Sequence, residues 1–213
     1  MKSISYAITV CNEFIEIQKL VPFLLEHKRD EDQIVVLYDQ NNGDEGVEDF
    51  LRAKSINYDF SWYPGNFNRD FSEWKNQLTS YCTGDYIFHL DADELPHEIL
   101  ISQLKEVLAI NETDLIYVPR VNTVDGITDK HIQAWGWKVT EKGWINYPDY
   151  QARVFRRDEK IRWQRPVHEF IGGCRTYSHL PPHEELSIYH HKKIEKQEKQ
   201  NNFYMDIINR AGL

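Results

Sequence analysis

Tyr86-Ile87-Phe88-His89-Leu90-Asp91-Ala92-Asp93-Glu94-Leu95-Pro96 passes from an apolar, strand-forming run into three carboxylates within four positions. Carboxylates this close repel one another, and a divalent cation with hard oxygen ligands is a natural counter-charge. Mg²⁺ usually takes one or two carboxylates together with substrate phosphates and keeps several waters. An Asp-x-Asp at the C-terminal end of a buried strand therefore predicts a metal-held phosphate compound in the crevice of an α/β sheet. The plain alternative is a solvated turn capping a helix that starts near Pro96, because Pro favours the first helical turn and acidic residues suit helix N-termini. An EF-hand loop from Asp91 would need Gly at its sixth position and Glu at its twelfth; the chain has Pro96 and Ser102 there.

Outward from this stretch the chain alternates strand and helix signals. Ile4 to Val10 reads as a first strand, and Phe14, Ile17, Leu20, Val21, Leu24 and Leu25 then recur at helical spacing. Pro22 falls inside that pattern and predicts a kink or a restart. Ile34-Val35-Val36-Leu37-Tyr38 is a continuous apolar run, as in a strand buried on both faces, and ends in the loop-forming Asp39-Gln40-Asn41-Asn42-Gly43-Asp44. Val47, Phe50 and Leu51 mark a short helix; Tyr58 to Tyr63 reads as a third strand closed by Pro64-Gly65-Asn66. Phe71, Trp74, Leu78 and Tyr81 mark a further helix before the strand Asp85 to Leu90. Ile99, Leu100, Leu104, Val107 and Leu108 form the next helical face, and Leu115 to Val118 the next strand. Repeated βα units of this length predict a doubly wound, mainly parallel sheet with helices on both faces. A haloacid-dehalogenase-type phosphatase would have Thr or Val after Asp-x-Asp-x and would carry it on the first strand; here Leu95 stands there and several elements precede it.

After about residue 120 long helices give way to aromatic and basic residues, Trp135, Trp137, Trp144, Arg153, Arg156 and Trp163 among them. Short β segments are expected at 152–155 and 167–171, and an amphipathic helix at the C-terminal end, after the polar run Lys192 to Asn202. There is no repeat and no Gly- or Ser-rich linker, so one domain over 1–213 is expected, with a βα-repeat half to residue 120 and a smaller mixed β half over 121–213. The 213 residues, 41% of them hydrophobic, can bury a sizeable core. A net charge of −9 argues against a nucleic-acid partner. Cys11, Cys82 and Cys174 are odd in number without metal-type spacing, which fits a reducing compartment. No apolar run approaches the roughly 20 residues of a membrane span, and Met1 to Ile4 leads directly into a strand without a signal peptide. A cytoplasmic location is expected, with peripheral membrane contact left open.

Four blocks together resemble one family. They are Ile8-Thr9-Val10-Cys11-Asn12-Glu13; Val35 to Asp39 with Asp44; Phe71-Ser72-Glu73-Trp74-Lys75-Asn76 through Gly84 to Glu94; and Arg153-Val154-Phe155-Arg156, Val167-His168-Glu169 and Tyr189-His190-His191 in that order. The chain resembles a family 2 glycosyltransferase of GT-A fold, similar to the bacterial lipopolysaccharide-core sugar transferases.

The resemblance implies a role for each position. Thr9 and Asp39 would line the nucleotide pocket, with Asn76 also on the donor side. Asp91 would lie near the ribose and help hold a Mn²⁺ or Mg²⁺ ion. Asp93 would ligate that ion, and the ion would bridge the phosphates of a nucleotide-diphosphate sugar, UDP-sugar favoured. His190 would be a distant metal ligand, with His191 its close competitor. Glu169 would be the base that removes the acceptor proton in an inverting reaction. Apolar neighbours would desolvate it, and its plain alternative is a salt bridge to a nearby arginine. An Asp is the more usual residue of the family here, and a retaining reaction would need no such base. Arg153 or Arg156 could neutralise the diphosphate, although strand alternation puts at most one of them on the right face. Trp135 and Trp137, with Trp144 nearby, would stack on a sugar of a glycan or glycolipid acceptor; their plain alternative is core packing. The competing functions are a sugar-nucleotide nucleotidyltransferase, which would carry a Gly-rich basic loop where Cys11-Asn12-Glu13-Phe14 stands, and a transferase-like glycan-binding module without turnover.

Overall fold

The structure, a computed structural model, describes residues 2–211. The first half delivers β1 (Ile4–Val10), α1 (Phe14–His27), β2 (Gln33–Asp39), α2 (Glu45–Ser55), β3 (Ser61–Gly65), α3 (Phe71–Ser80) and β4 (Tyr86–Asp91). β1, β2 and β3 are parallel neighbours, and β4 returns to pair in parallel with the other side of β1. The strand order therefore reverses direction beside β1. That is the switch point at which doubly wound sheets open a crevice at the carboxyl ends of their strands.

The sheet separates two apolar layers because alternate strand residues point to opposite faces. Tyr6, Ile8, Val36 and Phe88 pack with Ile17, Leu20 and Leu24 of α1 on one side. Ala7, Val35, Leu37 and Ile87 pack with Trp74 and Leu78 of α3 on the other. Both faces are covered, which explains the unbroken apolar runs of β1, β2 and β4.

The chain continues with β5 (Glu94–Pro96), α4 (Glu98–Ile110), β6 (Leu115–Val118), β7 (Arg120–Asp125) and α5 (Asp129–Trp135). After these come β8 (Gln151–Arg156), β9 (Arg162–Gln164), β10 (Phe170–Gly172), β11 (Tyr177–His179), β12 (Ile188–Lys193) and α6 (Ile194–Ala211). Among the described residues the large sheet has seven strands in the order β11-β6-β8-β4-β1-β2-β3, with β8 antiparallel to both its neighbours. A mixed sheet, β5-β12-β7, and the β9–β10 ribbon complete the β structure of the described residues. The mainly parallel α/β fold agrees with the reading of the sequence. The two halves are interleaved: β8 and β11 enter the large sheet, while β5 from the first half joins the small one.

Three local expectations are corrected. α1 does not restart at Pro22 but continues through it as one helix, where burial of Ile17, Leu20, Val21 and Leu24 outweighs one missing backbone hydrogen bond. β3 begins at Ser61 and includes Pro64 and Gly65 rather than ending before them; it is an edge strand, where a missing N–H is tolerated. Residues 94–96 form β5 instead of opening a helix, and His97 caps α4 by accepting from the Ile99 N–H at 3.1 Å.

Candidate active site

Thr9, Asp39 and Asp91 stand at the C-terminal ends of β1, β2 and β4, with Thr9 and Asp91 in register. They line one open cleft of about 1320 Å³. That is room for more than one small ligand, since a single drug-sized molecule occupies roughly 300–1,000 Å³. Asp39 is buried and accepts from the backbone N–H groups of Asn41 and Phe67 and from the Asn42 amide. It orders the loop after β2 at the mouth of the cleft, while the cap of α2 is Asp44, 2.7 Å from the Gly46 N–H.

The three carboxylates at 91–94 have counter-charges within the protein itself, so a divalent cation is not their sole source of neutralisation. Glu94 is fully buried and bound by Arg153 at 2.6 Å and Arg120 at 2.9 Å. Arg153 also reaches Asp91 at 2.8 Å. Thr9 donates to the other Asp91 oxygen at 3.1 Å, and Lys75 lies 3.8 Å from it. Both Asp91 oxygens are thus engaged, with the exposed part of the side chain facing the cleft. Arg153 faces inward as the strand alternation requires, and Arg156 turns away to Asp114. The solvated-turn alternative is excluded by the burial of Glu94 and Asp93.

Asp93 meets His190, not His191. His190 and Lys192 lie on the inward face of β12, while His191 is exposed and bonded to Thr123 and Asp125. The Asn122 amide donates to Asp149 at 2.6 Å, so its carbonyl faces His190 Nδ1 at 2.8 Å and places the proton there. In the neutral ring the His190 Nε2 lone pair then faces an Asp93 oxygen at 3.5 Å. Two acceptors so placed attract a cation, a proton or a metal ion. The chain Asp149–Asn122–His190 is the kind of support that orients a ligating histidine. Lys196 of α6 reaches the same Asp93 oxygen at 3.2 Å. Among the described residues no three of His, Cys, Asp or Glu form a metal-holding cluster, so Asp91, Asp93 and His190 are not brought together as one ligand set.

Glu169 lines the cleft and is ion-paired at 2.6 Å with Lys75, not with an arginine. Lys75 is 5% exposed, spans Glu169 and Asp91, and lies 4.5 Å over the Trp163 ring. Reading the sequence did not single it out. The signal was its place on the apolar stripe of α3, four residues after Phe71 and three before Leu78, where a lysine needs a buried partner. Arg120 and Glu94 were also missed as one buried unit. Asn76 does not reach the cleft: its amide group bonds both the N–H and the carbonyl of Trp163 and joins α3 to β9. Trp137 lines the cleft; Trp135 stands outside it, 4.7 Å from Trp137 by ring centroids. Trp135, Trp137 and Trp144 are half-exposed, so core packing does not account for them.

The charges make a pH prediction. Burial opposes ionisation of Asp91 and Asp93, but Lys75 and Arg153 beside the first, and His190, Lys192 and Lys196 beside the second, hold both below the usual carboxylate range. Burial also lowers His190, with Asp93 offsetting only part of it. The unfolded chain therefore takes up a proton at His190 first as pH falls through about 6.5, and at the two carboxylates as it falls below about 4. All three destabilise the fold on acidification. The urea midpoint is expected to drop from pH 7 to pH 5 and again below pH 4, with the first drop reduced in His190→Gln. An unchanged midpoint over pH 7 to 4 would contradict these charge placements.

The sequence model of glycosyl transferase family 2 matches residues 5–180. No curated protein matches the chain. Among solved structures, S. aureus TarS 1–349 in complex with UDP-GlcNAc is similar at TM-score 0.65 and 11% identity, over 90% of this chain and 59% of that one. TarS 1–349 in complex with UDP is similar at TM-score 0.63 and 10% identity, over 98% of this chain and 65% of that one. The chain thus spans about three fifths of the length of those structures, and the likeness carries the fold, a GT-A-type α/β sheet. With the match extending from β1 to the end of β11, across the Asp-x-Asp and the Glu169 segment, the chain belongs to glycosyl transferase family 2.

Proposed function

We propose that this chain transfers a sugar from a nucleotide-diphosphate sugar, UDP-sugar favoured, to a hydroxyl of a glycan or glycolipid, with Mn²⁺ or Mg²⁺ assisting. The observation that carries the reading is the convergence of Thr9, Asp39, Asp91, Asp93, His190 and Glu169 on one cleft at the sheet's switch point. The nucleotide lies over β1 and β2 against Thr9 and Asp39. Arg153 and Lys75 fix Asp91 at the end of β4. Asp93 and His190 Nε2 are the residues that would hold the ion, which supplies positive charge to the departing diphosphate. Glu169 accepts the proton of the acceptor hydroxyl as its oxygen bonds the anomeric carbon and the bond from that carbon to the phosphate oxygen breaks. Trp137 offers an apolar face for the acceptor ring at the cleft wall.

The loop after β1 disfavours the nucleotidyltransferase. A phosphate-cradling loop presents free backbone amides, but here Glu13 accepts from the N–H groups of Cys11 and Asn12 at 3.0 and 3.1 Å.

Nucleotide sugars screened by thermal shift, with Mn²⁺ and with chelator, test the reading, because a ligand of the native state raises the melting temperature by mass action. One nucleotide-diphosphate sugar is expected to stabilise the protein more in Mn²⁺. Asp93→Asn is expected to keep the fold and lose that metal-dependent increment, since a neutral amide is a poorer ligand for a hard cation. Equal shifts in chelator, or in Asp93→Asn, would remove the metal from the reading. No shift with any sugar nucleotide would remove the donor.

A further inference from the structure

We propose that Lys192 is a resident anion seat that receives the diphosphate of the donor, a role that rests on the donor reading above. Among the described residues Lys75, Arg153 and Lys192 are buried cationic residues that line the cleft. Lys75 has Glu169, and Arg153 has Asp91 and Glu94. Lys192 has no carboxylate within ion-pair distance among the described residues; its ammonium donates to the side-chain carbonyl of Gln200 on α6. A buried cation without an anion is costly, so a fold that keeps one has its counter-charge arrive with a ligand.

The surroundings identify that ligand's charge and position. Lys192 lines the main cleft two residues after His190, on the same face of β12. The carboxylate that acts most strongly on it is Asp93. Asp93 is already approached by Lys196 at 3.2 Å and by His190 at 3.5 Å. Arg120, which also adds positive charge at Lys192, is occupied by Glu94 and Asp149. The wall made by β12 and the first turns of α6 is thus cation-rich in a chain of net charge −9. Between it and the ends of β1 and β4 a diphosphate has one end at Lys192 and its nucleoside at Thr9 and Asp39. When the sugar–phosphate bond breaks, the charge developing on the terminal phosphate oxygen falls beside a fixed ammonium.

Calorimetric titration of the full chain with UDP, GDP and ADP, and with the nucleoside of the best binder, tests this in Mn²⁺ and in chelator. Lys192→Met is the variant, because an apolar residue of similar length removes the buried charge and leaves only the neutral Gln200 carbonyl without its donor. Its melting temperature is expected to equal or exceed that of the parent. Its affinity for the nucleoside diphosphate is expected to fall roughly 10- to 100-fold, the scale of a charge-assisted hydrogen bond, in both conditions, with the nucleoside unaffected. Lys192→Arg is expected to retain most of the diphosphate affinity. Lys192→Gln replaces Lys192→Met if the latter fails to fold. Undiminished diphosphate binding by the neutral variant overturns the proposal, as does an equal loss for diphosphate and nucleoside, which would make Lys192 a shaper of the cleft. Failure of the parent protein to bind any nucleoside diphosphate would instead overturn the donor reading, and the seat with it.

Discussion

Glu169→Gln is expected to lower turnover by about 10²-fold or more, the scale of losing a general base, while donor affinity stays within a factor of about two. The amide keeps the shape and can still accept from Lys75, whose ammonium lies 2.6 Å from a Glu169 oxygen. What it cannot do is take a proton from the acceptor hydroxyl. The loss should appear in kcat rather than in KM for the donor, since no donor contact is removed. Lys75 retains Asp91 at 3.8 Å but loses its nearer counter-charge, so the melting temperature should fall and must be measured alongside. Unfolding at the assay temperature would be visible there, and activity read below it remains interpretable. The anomeric configuration of the product is expected to be inverted. Full turnover in Glu169→Gln, or a retained anomer, would place the chemistry elsewhere and leave Glu169 as the partner of Lys75.

The central sheet was legible because its signal is local. β1, β2 and β4 are buried on both faces, so their residues read as continuous apolar runs whatever the rest of the chain does. Their ends carry Thr9, Asp39 and Asp91 simply because the strands are parallel. Choosing between His190 and His191 needed the register of β12, which depends on pairing with β7 and β5, far apart in sequence. Asn76 was misplaced for a related reason. It lies on α3 one residue after a cleft-lining lysine, and helical geometry turns the next side chain toward Trp163 instead. The charge network was the least legible part. Glu94 looked like a third carboxylate for a metal, but Arg120 and Arg153 come from strands 26 and 59 residues later. No window of sequence contains that encounter. A lysine on an apolar helical stripe, as at Lys75, was the one local clue that buried carboxylates were waiting for internal cations.

The second large effect concerns that network. Glu94→Gln is expected to destabilise the fold by about 3–5 kcal/mol, as when one member of a buried ion pair is removed and its partner stays charged. Glu94 is 1% exposed and is shared by two guanidinium groups while also accepting from the Asp91 N–H at 3.2 Å. Neutralising it leaves Arg153 with Asp91 and Arg120 with Asp149, each pair now required to balance a charge that three carboxylates shared. An exposed pair offers the contrast: removing Glu48, 37% exposed beside the 66% exposed Arg52, should leave the urea midpoint nearly unmoved because solvent screens it. Adding Arg120→Met to Glu94→Gln removes one stranded cation and should restore part of the loss, a coupling that a double-mutant cycle in urea would measure. Additive losses, or a midpoint for Glu94→Gln no lower than for Glu48→Gln, would mean that the arginines are balanced by Asp91 and Asp149 alone. The carboxylate at 94 would then be free of the structural duty assigned to it, and its place beside the Asp-x-Asp would have to be explained by the ligand instead.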